Sequence, residues 1–313
     1  MALITAGDAL LKATAKAAFW QSYEAYPSIM NGLVYPVTSD ADQETYPWLA
    51  YAPGIREMTG GRVKRGVPEL SFTIKNKKWE NTVSVSYETR KFAKLNQVQA
   101  MLGNLGAKAR AYPDKLTSVL IQNGATAGYT CYDGQVFWYA SHADTGAAYT
   151  TAQSNVLTYA AATGTTWTDV EMANAILYGI SSLMGYKDGD GDPVFMDQSK
   201  KVLIQCAPDI YARLASLTVM PTLTGGASNP ALGRFEVVAN PWLTAVSTTD
   251  VFFMFNVSGA HKPFILQTAE AVSLEDDMGG DNDFNTKDVS FGSFAYYNVG
   301  YGDWRYGLRM TAT

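Results

Sequence analysis

Only two cysteines, Cys131 and Cys206, occur in 313 residues, which excludes a disulfide framework and suits a compartment where thiols stay free. Histidine is equally scarce. His142 and His261 are the only imidazoles, so acid–base catalysis at neutral pH has two candidates and most metal-site spacings have none. Charge is thin too: 17% of residues are charged, and 24 basic residues against 29 acidic give a net charge of −5. No global positive field recruits nucleic acid, and a sequence-reading DNA-binding role is excluded. No run approaches the roughly 18 apolar residues of a membrane helix. Asp8 and Lys12 break the apolar N-terminal stretch, so no signal peptide is read there. These absences describe a soluble, unexported chain made in the cytoplasm.

Aromatic residues, by contrast, are abundant: 19 Tyr, 13 Phe and 7 Trp. Rich aromatics with sparse charge are the composition of surfaces buried between chains, or of a β-rich core. The length fits one large domain or two joined ones, with enough core to need no staples.

Along the chain, Thr5 and Asp8 followed by Leu11, Ala15, Ala18, Phe19 and Tyr23 predict a terminal helix or arm. Prolines 27, 36, 47 and 53 then forbid helix and predict an extended segment. A Gly-rich basic loop (Arg56, Gly60, Gly61, Arg62, Lys64, Arg65, Gly66) leads into two β-type runs, Leu70–Lys75 and Trp79–Tyr87. Joined by Asn76, Lys77 and Lys78, these predict a long two-stranded hairpin. Seven basic residues and two acidic ones lie between Arg56 and Lys78. An isolated ribbon is marginally stable, so docking on another subunit is expected.

Apolar residues at three- and four-residue spacing from Leu95 to Leu120 predict a long spine helix over 93–124, kinked or divided at Pro113. A strand is predicted at Gln135–Ala140 and an exposed loop over 144–166. A capping box at Thr168 and Glu171 starts a helix that stops at Gly185. Further strands are read at Lys201–Cys206, Phe235–Ala239, Val251–Val257, Phe264–Thr268, Val289–Val299 and Trp304–Thr311. A helix opens at Pro208. The class is mixed α and β.

Catalytic readings stay below their plain alternatives. Ser141, His142 and Asp144 are too close in sequence to converge as a triad. Cys131, Asp133 and His142 match no recognised metal spacing, and a soluble hydrolase using Asp133 and His142 leaves the basic hairpin and proline-rich arm without a role. Asp188 to Asp192 resembles the start of a calcium loop, but Pro193 stands where a glycine belongs and Ser199 where a bidentate glutamate belongs. A hairpin turn is the better reading. No phosphate loop or dinucleotide fingerprint occurs. No cofactor, catalytic residue or metal ligand is expected. The acidic stretch 274–288 (Glu275, Asp276, Asp277, Asp281, Asp283, Asp288) reads as a solvated loop or as the receiver of a neighbour's basic hairpin.

Several strings, taken in order, resemble the Mu-like phage major head subunit family. They are Tyr46-Pro47-Trp48-Leu49, Gly54-Ile55-Arg56-Glu57, Ile74 to Glu80, Leu102 to Gly106, Cys131 to Trp138 with His142, Asn229-Pro230, Lys262 to Gln267 and Tyr301 to Trp304. That family is similar to Hong Kong 97-type capsid proteins. The resemblance implies an α+β fold: an N-terminal arm (1–54), an extended hairpin loop (55–90) and a peripheral domain built on a spine helix (91–130). A mainly axial domain (131–270) and a return to the periphery (271–313) complete it.

It further implies a non-enzymatic shell subunit in the virion capsid of a tailed bacteriophage, forming pentamers and hexamers around double-stranded DNA contacted non-specifically. A separate scaffold protein, a portal and a decoration protein are the implied partners, with no membrane; some relatives of the fold cross-link through lysine and asparagine, but no motif carries those positions over and non-covalent association is expected. A nanocompartment shell is the alternative use of the same fold. Expected interface residues are Arg56, Arg62, Lys64, Arg65, Lys75, Lys77, Lys78 and Trp79, facing Glu275, Asp276, Asp277, Asp281 and Asp283.

Overall fold

The computed structural model describes residues 6–30, 32–46, 71–91, 95–143, 149–194, 196–197, 199–244, 248–259, 261–278 and 286–313. Helix α1 (Ala6–Ala25) lies along α3 (Leu95–Asn123), and the two are held by a small core of Leu11, Ala15 and Phe19 against Val98, Leu102 and Leu105. The predicted terminal segment is therefore a packed helix. Gly103 and Gly106 make the contact possible: a Cβ on Gly106 would run into the Phe19 carbonyl. Small residues let the two backbones approach where larger side chains would hold them apart.

At about 1.5 Å per residue, α3 is roughly 44 Å long. It is not divided at Pro113, which sits inside a continuous helix. The missing amide costs one intrahelical hydrogen bond, and packing against α1 and the sheet below holds the helix together. Met101 and Val119, which belong to the same three- and four-residue spacing, are nevertheless exposed.

Beneath α3 lies a four-stranded sheet in the order β1 (Val34–Thr38), β9 (Phe264–Asp276), β10 (Val289–Tyr301), β4 (Lys77–Val85). β1 is parallel to β9 and the other pairs are antiparallel. Pro36 is tolerated because β1 is an edge strand. Strict alternation in β10 puts Val289, Phe291, Ser293, Ala295, Tyr297 and Val299 on the buried face.

A second sheet of five strands runs β5 (Val156–Tyr159), β11 (Gly307–Ala312), β8 (Val251–Phe255), β6 (Val202–Cys206), β7 (Phe235–Ala239). Its central strand β6 is buried at every residue, the pattern of a strand covered on both faces. Helix α4 (Asp169–Gly185) begins at the predicted capping box, with Thr168 and Glu171 satisfying each other's backbone amides. Helix α5 (Pro208–Leu217) carries proline in its first turn. Most of the large aromatic residues gather in this half: Phe137, Trp138, Trp167, Phe252, Phe253, Phe255, Trp304 and Tyr306 belong to one core cluster.

A buried polar chain ties the two halves. Asn240 donates from Nδ2 to Ser118 Oγ (2.9 Å) and Gln205 Oε1 (3.0 Å), while Gln205 donates to the Ile29 carbonyl. Asp114 of α3 accepts from Ser28 Oγ (2.6 Å) and the Ile29 amide (3.0 Å). Satisfied networks of this kind fix one arrangement of elements, because any slip leaves a buried polar group without a partner.

Four expectations need correcting. The two runs flanking Asn76 do not pair with each other. β3 (Phe72–Lys75) pairs with β2 (Gln43–Tyr46), whereas β4 joins the four-stranded sheet beside β10. Asn76 makes the break: its Nδ2 donates to Ser39 Oγ and the Ala41 carbonyl, and its amide to the Asp42 carbonyl. No regular strand forms at 135–140. The positive φ of Gly134 (+78°) turns the chain back, and adjacent Phe137 and Trp138 are both buried, which defeats alternation. The stretch 144–166 includes strand β5, a short edge strand defined by its pairing with β11. The final β run opens with a 3-10 turn, Trp304–Tyr306, before β11.

Candidate assembly surfaces and the buried histidine cluster

The ribbon of β2 and β3 is pinned at its base. Tyr46 Oη donates to Gln267 Oε1 (2.7 Å), and Gln267 Nε2 donates to the Ile74 carbonyl (3.2 Å), locking both strands to β9. Burial raises the Tyr46 phenol to about 12, so it remains a donor at any physiological pH. The basic residues Arg56, Arg62, Lys64 and Arg65 belong to the connection between β2 and β3 and lie outside the described residues, as do Asp281 and Asp283.

The expected interface residues that are described divide into two groups. Lys75, Lys77 and Lys78 are exposed, and Lys75 pairs with Asp42 of its own chain at 3.4 Å. Trp79 is half-buried: its indole donates to the Tyr297 carbonyl (2.9 Å) and its ring packs on Tyr112 at 4.7 Å. On the acidic side, Asp276 is already engaged. Its side chain is 5% exposed and meets Lys12 (2.8 Å) and Lys16 (3.5 Å) of α1. Glu275 and Asp276 lie in β9, not in a loop. Among the described acids of this stretch, Glu275 stands exposed and Asp277 partly so.

The structure does bring Cys131, Asp133 and His142 together, the one such grouping of possible metal ligands among the described residues. His142 Nδ1 meets Asp133 Oδ2 at 2.5 Å, and Cys131 Sγ donates to Asp133 Oδ1 at 3.0 Å. Ligands sharing a tetrahedral zinc would stand about 3.3–3.7 Å apart given its bond lengths. The spacing here is that of hydrogen bonds. Burial pushes Asp133 up, but the hydrogen bond and charge of His142 outweigh it and hold the carboxyl below the usual aspartate value. Burial and the neighbouring Asp133 push the Cys131 thiol well up, away from the reactive thiolate.

As a catalytic pair the arrangement is closed. His142 is fully buried, stacked on Trp304 at 4.2 Å, and its Nε2 faces the Phe137 carbonyl at 3.2 Å. A general base needs that nitrogen free to reach a nucleophile. Nor does Ser141 enter the cluster. The cluster is a buried joint that anchors the 131–142 turn to the 3-10 turn. The sequence signal for it was a pair of rare residue types, Cys131 and His142, eleven positions apart, which a single string cannot separate from chance.

The Asp188–Asp192 segment is a turn, as expected. Lys187 bridges Pro193, and Asp188 Oδ1 accepts the amides of Asp190 and Asp192.

A profile of the Mu-like prophage major head subunit gpT family matches residues 9–180, just over half of the chain. The chain belongs to that family. Over 124 residues it is 31% identical to the major capsid protein of Escherichia phage Mu, and this stretch covers 40% of each protein. Over 118 residues it is 30% identical to the Mu-like prophage FluMu major head subunit of Haemophilus influenzae, covering 37% of each. The aligned stretches thus span about two fifths of either relative. Among solved structures, the procapsid of bacteriophage JBD30 superposes with a TM-score of 0.57 at 18% identity, covering 96% of this chain and 73% of that one. The mature capsid of bacteriophage PhiM1 gives 0.56 at 12% identity, covering 92% and 88%. The fold is the Hong Kong 97-type capsid fold, α+β as expected.

Proposed function

We propose that this chain is the major head protein of a tailed bacteriophage, a non-enzymatic subunit whose copies form the pentamers and hexamers of an icosahedral shell around double-stranded DNA. The family match over residues 9–180 carries the reading. The shape supports it: a ribbon tied to β9 through Gln267, a long helix spanning two cores and an imidazole sealed from substrate are the parts of a building block. In this assignment α1 and the segment up to β2 form the N-terminal arm region, and the β2–β3 ribbon with its basic connection is the extended loop. α3 with the four-stranded sheet is the periphery, and the five-stranded sheet with α4 and α5 is the axial part. A separate scaffold and a portal are the partners during assembly in the host cytoplasm, and a decoration protein is a further one. DNA is met without sequence preference, and the finished place of the chain is the virion.

The interface pairing is narrower than charge alone suggested. With Asp276 held by α1, the basic connection (Arg56, Arg62, Lys64, Arg65) is proposed to meet Glu275, Asp277 and the acidic residues that follow on a neighbouring copy. Negative-stain microscopy of the purified chain tests the main reading. Closed shells or capsomer rings are expected, and a uniform monomer with hydrolytic turnover would overturn it. Charge reversal at Arg62, Lys64 and Arg65 tests the interface: assembly should fail, and particles formed at normal yield would sink the pairing.

A further inference from the structure

Two arginines four residues apart in the closing segment have opposite surroundings. Arg305 is buried and satisfied: its guanidinium donates to Asp303, the Lys187 carbonyl and the Tyr132 hydroxyl, and lies over the Trp304 ring. Arg309 in β11 has none of this. Its Nε is buried without an acceptor, and none of the described carboxylates lies within ion-pair distance of it. Burial with no compensating anion lowers its pKa.

Arg309 lines a recess of about 40 Å3 together with Gln122, Asp209, Thr244, Thr249 and Phe253. That is room for a carboxylate-sized group or a few waters. Thr244, Thr249 and the first turn of α5 share the lining with the guanidinium. A half-buried guanidinium whose Nε lacks an acceptor carries a cost in a lone subunit, and guanidinium binds carboxylate oxygens in pairs with matched geometry. Apolar Phe253, Leu243 and Ile210 share the lining, so a closing partner would exclude water and strengthen the pair.

We propose that this recess is a receptor for an aspartate or glutamate side chain of a second copy of the chain. The inference rests on the shell reading above. A nucleic-acid strand fits less well: the recess admits one small anion, and the chain carries a net charge of −5, both unfavourable to a run of phosphates. Asp209 itself makes no ion pair with Arg309 in the subunit, so the receptor is open.

The experiment combines a side-chain-resolution map of assembled particles with the variants Arg309→Met and Arg309→Lys of the full chain. In the map, the guanidinium should lie about 3 Å from a carboxylate of an adjacent copy. Arg309→Met should raise the concentration needed for assembly by at least about tenfold, while the melting temperature of the unassembled subunit holds or rises, because a desolvated charge has been removed. Arg309→Lys should recover part of the loss. A guanidinium paired with Asp209 of its own chain, with a phosphate of DNA or with a free anion would overturn the proposal. So would Arg309→Met particles forming at the normal threshold, or a subunit that melts lower. Wild-type protein that never forms particles would instead defeat the shell reading.

Discussion

The two sheets of this protein solve the same packing problem at different scales. The five-stranded sheet sits in a core containing Phe137, Trp138, Trp167, Phe252, Phe255 and Trp304, with α4, α5 and the turn at 131–142 around it. Among the described residues, the region at the N-terminal half of α3 is thinner: α1, α3 and the ends of β4 and β10 bury Leu11, Ala15, Phe19, Val85, Val98, Leu102, Leu105, Val289 and Phe291. The second is held by close helix contact at Gly103 and Gly106 and by the Lys12–Asp276 pair.

The comparison can be broken from either side. The largest effect is expected for Phe252→Ala, which empties a fully buried site beside Trp167. A loss of about 3–5 kcal/mol should appear as a lower denaturation midpoint for the whole subunit. An effect confined to α1 would show that the aromatic core is not the main store of stability.

Next comes the histidine joint. Asp133→Asn removes a charged hydrogen-bond partner from buried His142, with an expected cost of about 1.5–3 kcal/mol at pH 7. The sign with pH follows from the depressed Asp133 value. Its stabilisation is full above the unfolded aspartate pKa of about 3.9 and is lost as pH falls through the lower folded value. Wild type and variant should therefore converge in acid when denaturant midpoints are measured from pH 7 down to pH 2. A constant gap across that range would remove the ion pair as the cause.

The smallest effect belongs to the thin region. Gly106→Val forces α1 away from α3 and should cost about 1–3 kcal/mol. Amide exchange should speed up in residues 6–25 while β6 and β8 stay protected. Uniform loss of protection would mean that the two regions are one cooperative unit.

Much of this was legible beforehand. Helix α4 was announced by Thr168 and Glu171, α5 by Pro208, and β7 by a β-branched run bounded by turn residues, because caps and periodicity are local signals. The ordered strings shared with the head subunit family pointed to the fold and the use together. The partner of β3 was not legible: Phe72–Lys75 and Lys77–Val85 look like two arms of one hairpin until Asn76 is seen bonding back to Ser39 and Ala41. Asp276 likewise reads as one acid in a charged loop, since nothing local says that Lys12 lies beside it.

The amino-acid sequence by itself determined the helices, most of the strands, the absence of a disulfide framework and the family, since each depends on residue types at short spacing or on strings in order. Tertiary structure decided which strands share a sheet, that Cys131, Asp133 and His142 meet in a sealed joint, and that Arg305 is satisfied while Arg309 is not. Those outcomes depend on residues brought together from far along the chain, and burial and charge pairing are set by that convergence.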